Sequence, residues 1–456
     1  MLRLAILSAI LLPLASCQPW GQSPHEKHAE NMVAEGLLQE ASRWESSARY
    51  ALNFPIGTSL PYAERRILDV DTFNRATAFE IALSQEQRIN IVTLPSRNSR
   101  APVFIDIFEK GVGDAKFKRL ASKENHESSL QFDAPRKGSY FVRIQPGYQA
   151  KGLVDITIAS QPRFPFPVEN YSAKAVQSFF GASRDAGKRK HKGIDIFAKR
   201  GTPVLSVSSG RVYKAADTPR GGLNVWVRHE GYSFYYAHLD RIDVKQGQTL
   251  KVGQQLGTVG NSGNARTTRP HLHFGIYKGF RGAIDPFPLV DNSHEFVERD
   301  IKKVTLVPRW LAVDTAVLNV REGPGTDSTI LQKLKRHMLV QVEAMSGDWL
   351  RVATAEGFHG YVARHLMAKP EVTSWKADKP YHLVSEPYAQ APVLMDINEG
   401  EVLESFGGFG RFRMVRMESG LTAWAKSSTG DSSAGTSSAS STTSTSTPSE
   451  NSKAGA

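Results

Sequence analysis

Apolar residues recur every three or four positions near the start of the chain and every second position over most of the remainder. Val33, Leu37, Ala41, Trp44 and Ala48, with charged residues between them, predict one amphipathic helix over about 25–52. The string Asn53-Phe54-Pro55-Ile56-Gly57 ends it. The rhythm then changes. Arg88-Ile89-Asn90-Ile91-Val92, Val103-Phe104-Ile105-Asp106-Ile107-Phe108, Tyr140-Phe141-Val142-Arg143-Ile144 and Leu153-Val154-Asp155-Ile156-Thr157-Ile158 are short runs separated by polar turns, which predict a β-sandwich or jelly roll over 59–160. Gln161-Pro162-Arg163-Phe164-Pro165-Phe166-Pro167 is a boundary, because proline suits neither a helix interior nor a central strand. Residues 168–292 are rich in glycine and short β runs such as Asn224-Val225-Trp226-Val227-Arg228, the pattern of an antiparallel β domain. A degenerate repeat comes next, one unit over 314–368 and a second over 379–426. The last stretch, 427–456, is almost entirely Ser, Thr, Gly and Ala; it cannot bury enough apolar surface to fold and is expected to be a disordered tail. The fold class expected is mainly β and multidomain.

At 456 residues the chain is too long for one ordinary domain, and 40% hydrophobic with 22% charged residues is a globular composition. A formal net charge of +12 suits an anionic partner: nucleic acid, a lipid headgroup layer or an acidic wall polymer. No helix-turn-helix, zinc finger or RNP-like aromatic string is present, so nucleic acid is not the expected partner. The one dense basic run, Lys188-Arg189-Lys190-His191-Lys192, suits a solvated loop or a lure for carboxylate-bearing substrate.

The single cysteine stands at the end of Met1–Cys17, where one early arginine and a short apolar run lead into Leu14-Ala15-Ser16-Cys17. The apolar run is short for a spanning helix and reads as an export signal. The string resembles a bacterial lipoprotein box. That resemblance implies a signal peptide over 1–16, lipidation of Cys17, and a tether with the amphipathic helix over 17–58. Buried acyl chains contribute about 0.8 kcal/mol per methylene, and two or more make a stable membrane anchor. By the same resemblance, Gln18 rather than Asp after the cysteine implies the periplasmic face of the outer membrane over the inner membrane.

The chemistry lies in three strings: HKGID (191–195), YYAHLD (235–240) and RPHLHF (269–274). Together they bring His191, Asp195, His238, His271 and His273. A hydrolytic zinc site takes three protein ligands and leaves a fourth position to water, so this inventory supplies a metal site with two histidines over for proton transfer. His271 and His273, one residue apart, fall on the same face of a strand. His25, His28 and His229 read as structural.

Around these residues the chain is similar to the lysostaphin-like, or LytM-type, zinc endopeptidases of bacterial cell walls. The likeness covers about 190–287 and includes Gly201-Thr202-Pro203-Val204, Gly210-Arg211-Val212, Tyr236-Ala237-His238-Leu239, Gly257-Thr258-Val259-Gly260-Asn261-Ser262-Gly263 and His271-Leu272-His273-Phe274. It implies one zinc ion per catalytic domain, held by His191, Asp195 and His273, with His238 and His271 beside the open position. Arg269 stands where such enzymes usually have glycine. The unit at 314–368, from Leu318-Asn319-Val320-Arg321-Glu322-Gly323-Pro324-Gly325, resembles a bacterial SH3 domain, and that at 379–426 does so more loosely. The expected function is zinc-dependent endopeptidase cleavage of peptidoglycan cross-links, D-Ala–meso-diaminopimelate in an envelope with an outer membrane. The SH3-like units would hold the polymer, and the sandwich would be a spacer or a protein-binding module. Some relatives have lost ligands and only activate other wall hydrolases; a non-catalytic scaffold or amidase activator is the alternative.

Overall fold

A computed structural model describes residues 21–68, 76–95, 102–111, 116–123, 127–184, 187–279, 282–292 and 307–427. The signal peptide over 1–16, Cys17 and the tail beyond Ser427 lie outside these residues. Among them the architecture is mainly β in several sheets.

The single helix expected over 25–52 is two helices, Pro24–Ala34 and Leu38–Asn53. Ser23 opens the first with a reciprocal cap: its Oγ accepts from the Glu26 amide, and the Glu26 carboxylate accepts from the Ser23 amide. Gly36 closes it at φ +85°, with Leu37 N–H donating to the Met32 carbonyl and Gly36 N–H to that of Val33. This left-handed cap stops the helix one turn short of the next apolar residue. Val33 is consequently exposed, and Met32 takes the buried place. Trp44 is fully buried, donates through Nε1 to the Pro146 carbonyl at 3.1 Å and stacks on His25 at 4.2 Å. His25 bonds Gln145 at 2.7 Å, and burial, then the nearby Arg143, pushes its pKa down to about 4. His28 accepts from the Tyr148 amide. Both histidines thus pin the helical hairpin to the sandwich.

The sandwich has one sheet in the order Ile56–Gly57, Thr77–Leu83, Gly138–Pro146, Val103–Lys110, Phe117–Ser122. The other holds Tyr62–Leu68, Gly152–Gln161, Arg88–Pro95 and Ser129–Asp133. Alternate residues such as Ile89, Ile91, Ile156 and Ile158 fill the space between them. This second sheet does not end at the sandwich. Tyr62–Leu68 also pairs with Leu339–Ser346, Arg65 opposite Met345 and Arg66 opposite Ala344, so the segments 59–160 and 314–368 share one continuous sheet. Tyr361 packs into the sandwich core. Its hydroxyl lies 2.7 Å from that of Tyr62, which donates to Glu64 Oε2 at 2.7 Å. Arg351 meets the same oxygen at 3.1 Å, and both charged residues are 1% exposed.

The segment 168–292 forms a main sheet in the order Val176–Ser178, Ile194–Phe197, His271–Lys278, Tyr232–Ile242, Gly222–His229, Gly210–Thr218, Thr249–Leu250. Pro203–Leu205 and Gln255–Val259 pair beside it. Ile194, Ile196, Phe234, Tyr236, Leu272, Phe274 and Ile276 make its buried face. The Pro-rich boundary is part of this domain: Phe166 joins the core, and the Arg163 and Phe164 amides donate to the Leu289 carbonyl. The sandwich meets the domain through Glu86, which accepts from Tyr232 Oη at 2.7 Å and pairs with Lys278 at 2.6 Å and Arg163 at 3.2 Å. Tyr232 begins the strand that carries His238. At about 3.3 Å per residue the junction stands roughly 20 Å from that histidine.

Residues 370–427 belong to a second compact unit. Its six-stranded sheet runs from Thr373–Lys376 to Thr422–Ser427 around Ala377, Leu383, Ile397, Val415, Ala423 and Ala425. It begins a few residues before the expected start at 379.

Removing one partner of a buried ion pair strands the other charge, at a cost of about 3–5 kcal/mol, whereas replacing both by apolar residues is nearly neutral. Glu64→Leu is therefore expected to lower the denaturant midpoint of the protein, and the double variant Glu64→Leu, Arg351→Met to recover most of it.

Candidate metal centre

The centre is built by strand register. Ile194–Phe197 and His271–Lys278 run antiparallel with Asp195 opposite His273 and Phe197 opposite His271. Because neighbours along a strand alternate faces, burying Ile194, Ile196, Leu272 and Phe274 turns Asp195, His271 and His273 to the other side. Ala237 lies opposite His273 on the next strand. There the pairing slips between Leu223–Leu239 and Val225–Tyr236, and His238 sits in the bulge at φ +64°. A bulge re-aims a side chain, and a left-handed backbone at a non-glycine residue costs about 1–3 kcal/mol, so the surrounding sheet must enforce it. The His238 amide donating to the Gly221 carbonyl is part of that enforcement.

His191 reaches the same point from a loop. Its amide donates to Ala182 and its carbonyl accepts from Gly181. Gly193 lets this loop lie against the sheet, since a Cβ there would stand 2.4 Å from the Phe274 carbonyl and 2.9 Å from the His273 ring.

His191 Nε2, Asp195 Oδ1 and His273 Nδ1 are mutually 2.9–3.0 Å apart. His191 donates through Nδ1 to the Phe179 carbonyl at 3.0 Å, which leaves a lone pair on Nε2 facing the other two atoms. Burial raises the Asp195 pKa, but the His191 and His273 rings against it outweigh that effect and hold the carboxyl well below the usual range. The other Asp195 oxygen accepts from Arg184 Nη2 at 2.7 Å, and Arg184 also donates to Ser178 Oγ. Two imidazole nitrogens and one carboxylate oxygen, closely spaced and oriented from behind, fit zinc. Tetrahedral bonds of about 2.0–2.1 Å separate donors by roughly 3.3 Å.

Beside this triangle stand His238 and His271, their rings 5.1 Å apart. Each donates through Nδ1 to a backbone carbonyl, His238 to Ser262 at 2.9 Å and His271 to Arg269 at 2.8 Å, so both Nε2 atoms are left for other work. Burial, then the neighbouring His273 and His271, pushes the His238 pKa down to about 4, keeping the ring neutral.

All five residues singled out in the sequence therefore converge, while His229 does not, its Nε2 lying 3.7 Å from Glu230. Arg184 gives no signal in the sequence: an arginine in a loop becomes a partner of Asp195 only through the short pairing of Ser183–Arg184 with Arg189–Lys190. That pairing also absorbs part of the basic run.

His191, Asp195 and His273 converge as a donor set that could hold one metal ion, with two further imidazoles beside it on the same sheet. Residues 189–286 match peptidase family M23, and residues 316–368 match a bacterial SH3 domain. The chain contains an M23, or LytM-type, peptidase domain and a bacterial SH3 domain. Among similar curated proteins, the L-Ala–D-Glu endopeptidase of Bacillus subtilis is 34% identical over 154 residues, 31% of this chain and 45% of that one. The peptidoglycan DD-endopeptidase ShyC of Vibrio cholerae is 39% identical over 99 residues, 20% of this chain and 22% of that one. The murein hydrolase activator NlpD of Salmonella dublin is 27% identical over 245 residues, 52% of this chain and 59% of that one. The chain thus spans less than two thirds of the length of each.

Partners that orient a metal ligand are worth about 10–100-fold in metal affinity. Arg184→Met is expected to weaken zinc binding by that factor in a chelator competition, with the circular dichroism spectrum unchanged.

Proposed function

We propose that the protein is a zinc-dependent peptidoglycan endopeptidase, exported and held to the envelope by a lipidated Cys17. The observation that carries this reading is the triangle of His191, Asp195 and His273 with two further imidazoles at its side. In it, zinc would be held by those three residues and would supply Lewis acidity toward an amide carbonyl and water. The remaining work falls to the chain. His238 and His271, each locked by a backbone carbonyl into the tautomer that frees Nε2, are set to take a proton from attacking water and return one to the leaving amine. A positioned acid or base of this kind is worth roughly 10²–10⁴-fold. The pair shares both tasks, with no division between them assigned. The SH3 domain would hold the polymer; a tether raises local concentration to about millimolar, so even a weak module counts. A chain at the periplasmic face of the outer membrane meets the D-Ala–meso-diaminopimelate cross-link, and ShyC, a similar protein, is a DD-endopeptidase by name.

A second reading is supported by the match to NlpD, which reaches over half of this chain and beyond the M23 segment. On it the protein would activate wall amidases. Digestion of purified sacculi, with and without chelator, separates the two, and mass spectrometry of the released muropeptides identifies the bond. The endopeptidase reading expects chelator-sensitive release and zinc at one per chain. His238→Ala is expected to keep zinc and lose about 10²–10⁴-fold in turnover, whereas His191→Ala is expected to lose zinc as well. Zinc retained at full stoichiometry by the His191 variant would undo the ligand assignment. Cys17→Ser is expected to move the protein from the membrane fraction to the soluble one, and a variant still in the membrane fraction would remove the lipid anchor.

A further inference from the structure

Resting on the endopeptidase reading, we propose that Arg269 is a specificity-determining residue that binds a free carboxylate of the substrate next to the scissile amide, so that the site selects anionic peptides over neutral ones. Arg269 is exposed and two residues from His271, whose Nδ1–H its own carbonyl accepts at 2.8 Å. Its guanidinium lies over the Phe197 ring at 4.8 Å, and Phe197, opposite His271 in the strand register, stacks on the His271 ring at 5.0 Å and 27°. Arginine, phenylalanine and histidine therefore form one stack that ends at the candidate proton-transfer group.

Two other arginines near the centre are spent on carboxylates. Arg184 pairs with Asp195, and Arg200 pairs with Asp240 and also donates to Asn261. Arg269 instead donates to the neutral Gln177 Oε1 at 2.6 Å, and among the described residues this is its one hydrogen bond from the side chain. A guanidinium offers five N–H groups in a fixed fork suited to a carboxylate. Here the fork is held by an aromatic face and an amide, and among the described residues no carboxylate neutralises it and most of its donors have no protein acceptor. Such a group loses little freedom when an anion arrives, which makes it an anchor.

The test uses two synthetic cross-linked peptides that differ only in a free carboxylate or a carboxamide on the residue adjoining the scissile bond. The zinc-loaded full-length protein is expected to favour the carboxylate peptide by roughly 10–100-fold in kcat/KM, the range of a charge-assisted hydrogen bond, through KM. Arg269→Gln is expected to raise KM for that peptide and abolish the preference with little change in kcat, and Arg269→Lys to keep part of it. Fluorescence anisotropy of the labelled peptides on chelator-treated protein reads the same discrimination without turnover. Equal handling of the two peptides by the unaltered protein, or a preference that survives Arg269→Gln, overturns the proposal. Discrimination in binding with neither peptide cleaved would sink the endopeptidase reading and leave the anchor standing. Cleavage of both without discrimination would do the reverse.

Discussion

The pairing of Ile194–Phe197 with His271–Lys278, Asp195 facing His273, is the constraint on which the centre rests. In an antiparallel pair the side chains of facing residues are neighbours, and a slip of one position turns every side chain to the opposite face. Here a slip would drive the carboxylate and both histidines into a core now filled by isoleucine, leucine and phenylalanine. The burial of those apolar residues and the meeting of the polar ones are therefore one event. The core holds the register, and the register holds the chemistry.

What the two strands do not supply comes from outside them. His191 enters on a loop that passes so close to the sheet that only glycine fits at 193, and His238 enters from a bulge on the neighbouring strand. Backbone carbonyls of Phe179, Ser262 and Arg269 each take the Nδ1 proton of a different histidine. The same device thus sets the tautomer three times, once for a proposed ligand and twice for the proposed proton carriers. Arg184 performs the matching service for Asp195.

The parts legible in the sequence are those with short-range signals. A His-x-His on a strand, a glycine between His191 and Asp195, and period-two runs all follow from local backbone geometry. The break at Gly36 is hidden because Val33 and Leu37 keep helical spacing across it, and the cap depends on a left-handed conformation that spacing alone does not reveal. The junction of Tyr62–Leu68 with Leu339–Ser346 is out of reach for a different reason. Its partners lie far apart in sequence, and its ion pair, Glu64 with Arg351, is two ordinary charged residues until the fold buries them.

That junction changes what counts as a detachable piece of the molecule. The peptidase segment sits, in chain order, between two strands that hydrogen-bond to each other, so the SH3 domain is a continuation of the sandwich's own sheet. Shortening the chain before residue 314 would bare the backbone edge of Tyr62–Leu68, together with the hydroxyl of Tyr62 and the carboxylate of Glu64. Exposed strand edges invite pairing with other copies. A catalytic fragment meant to retain the sandwich therefore has to retain the SH3 strands too. One that omits them has to leave out the sandwich as well, and begin at the Pro-rich segment that opens the peptidase core.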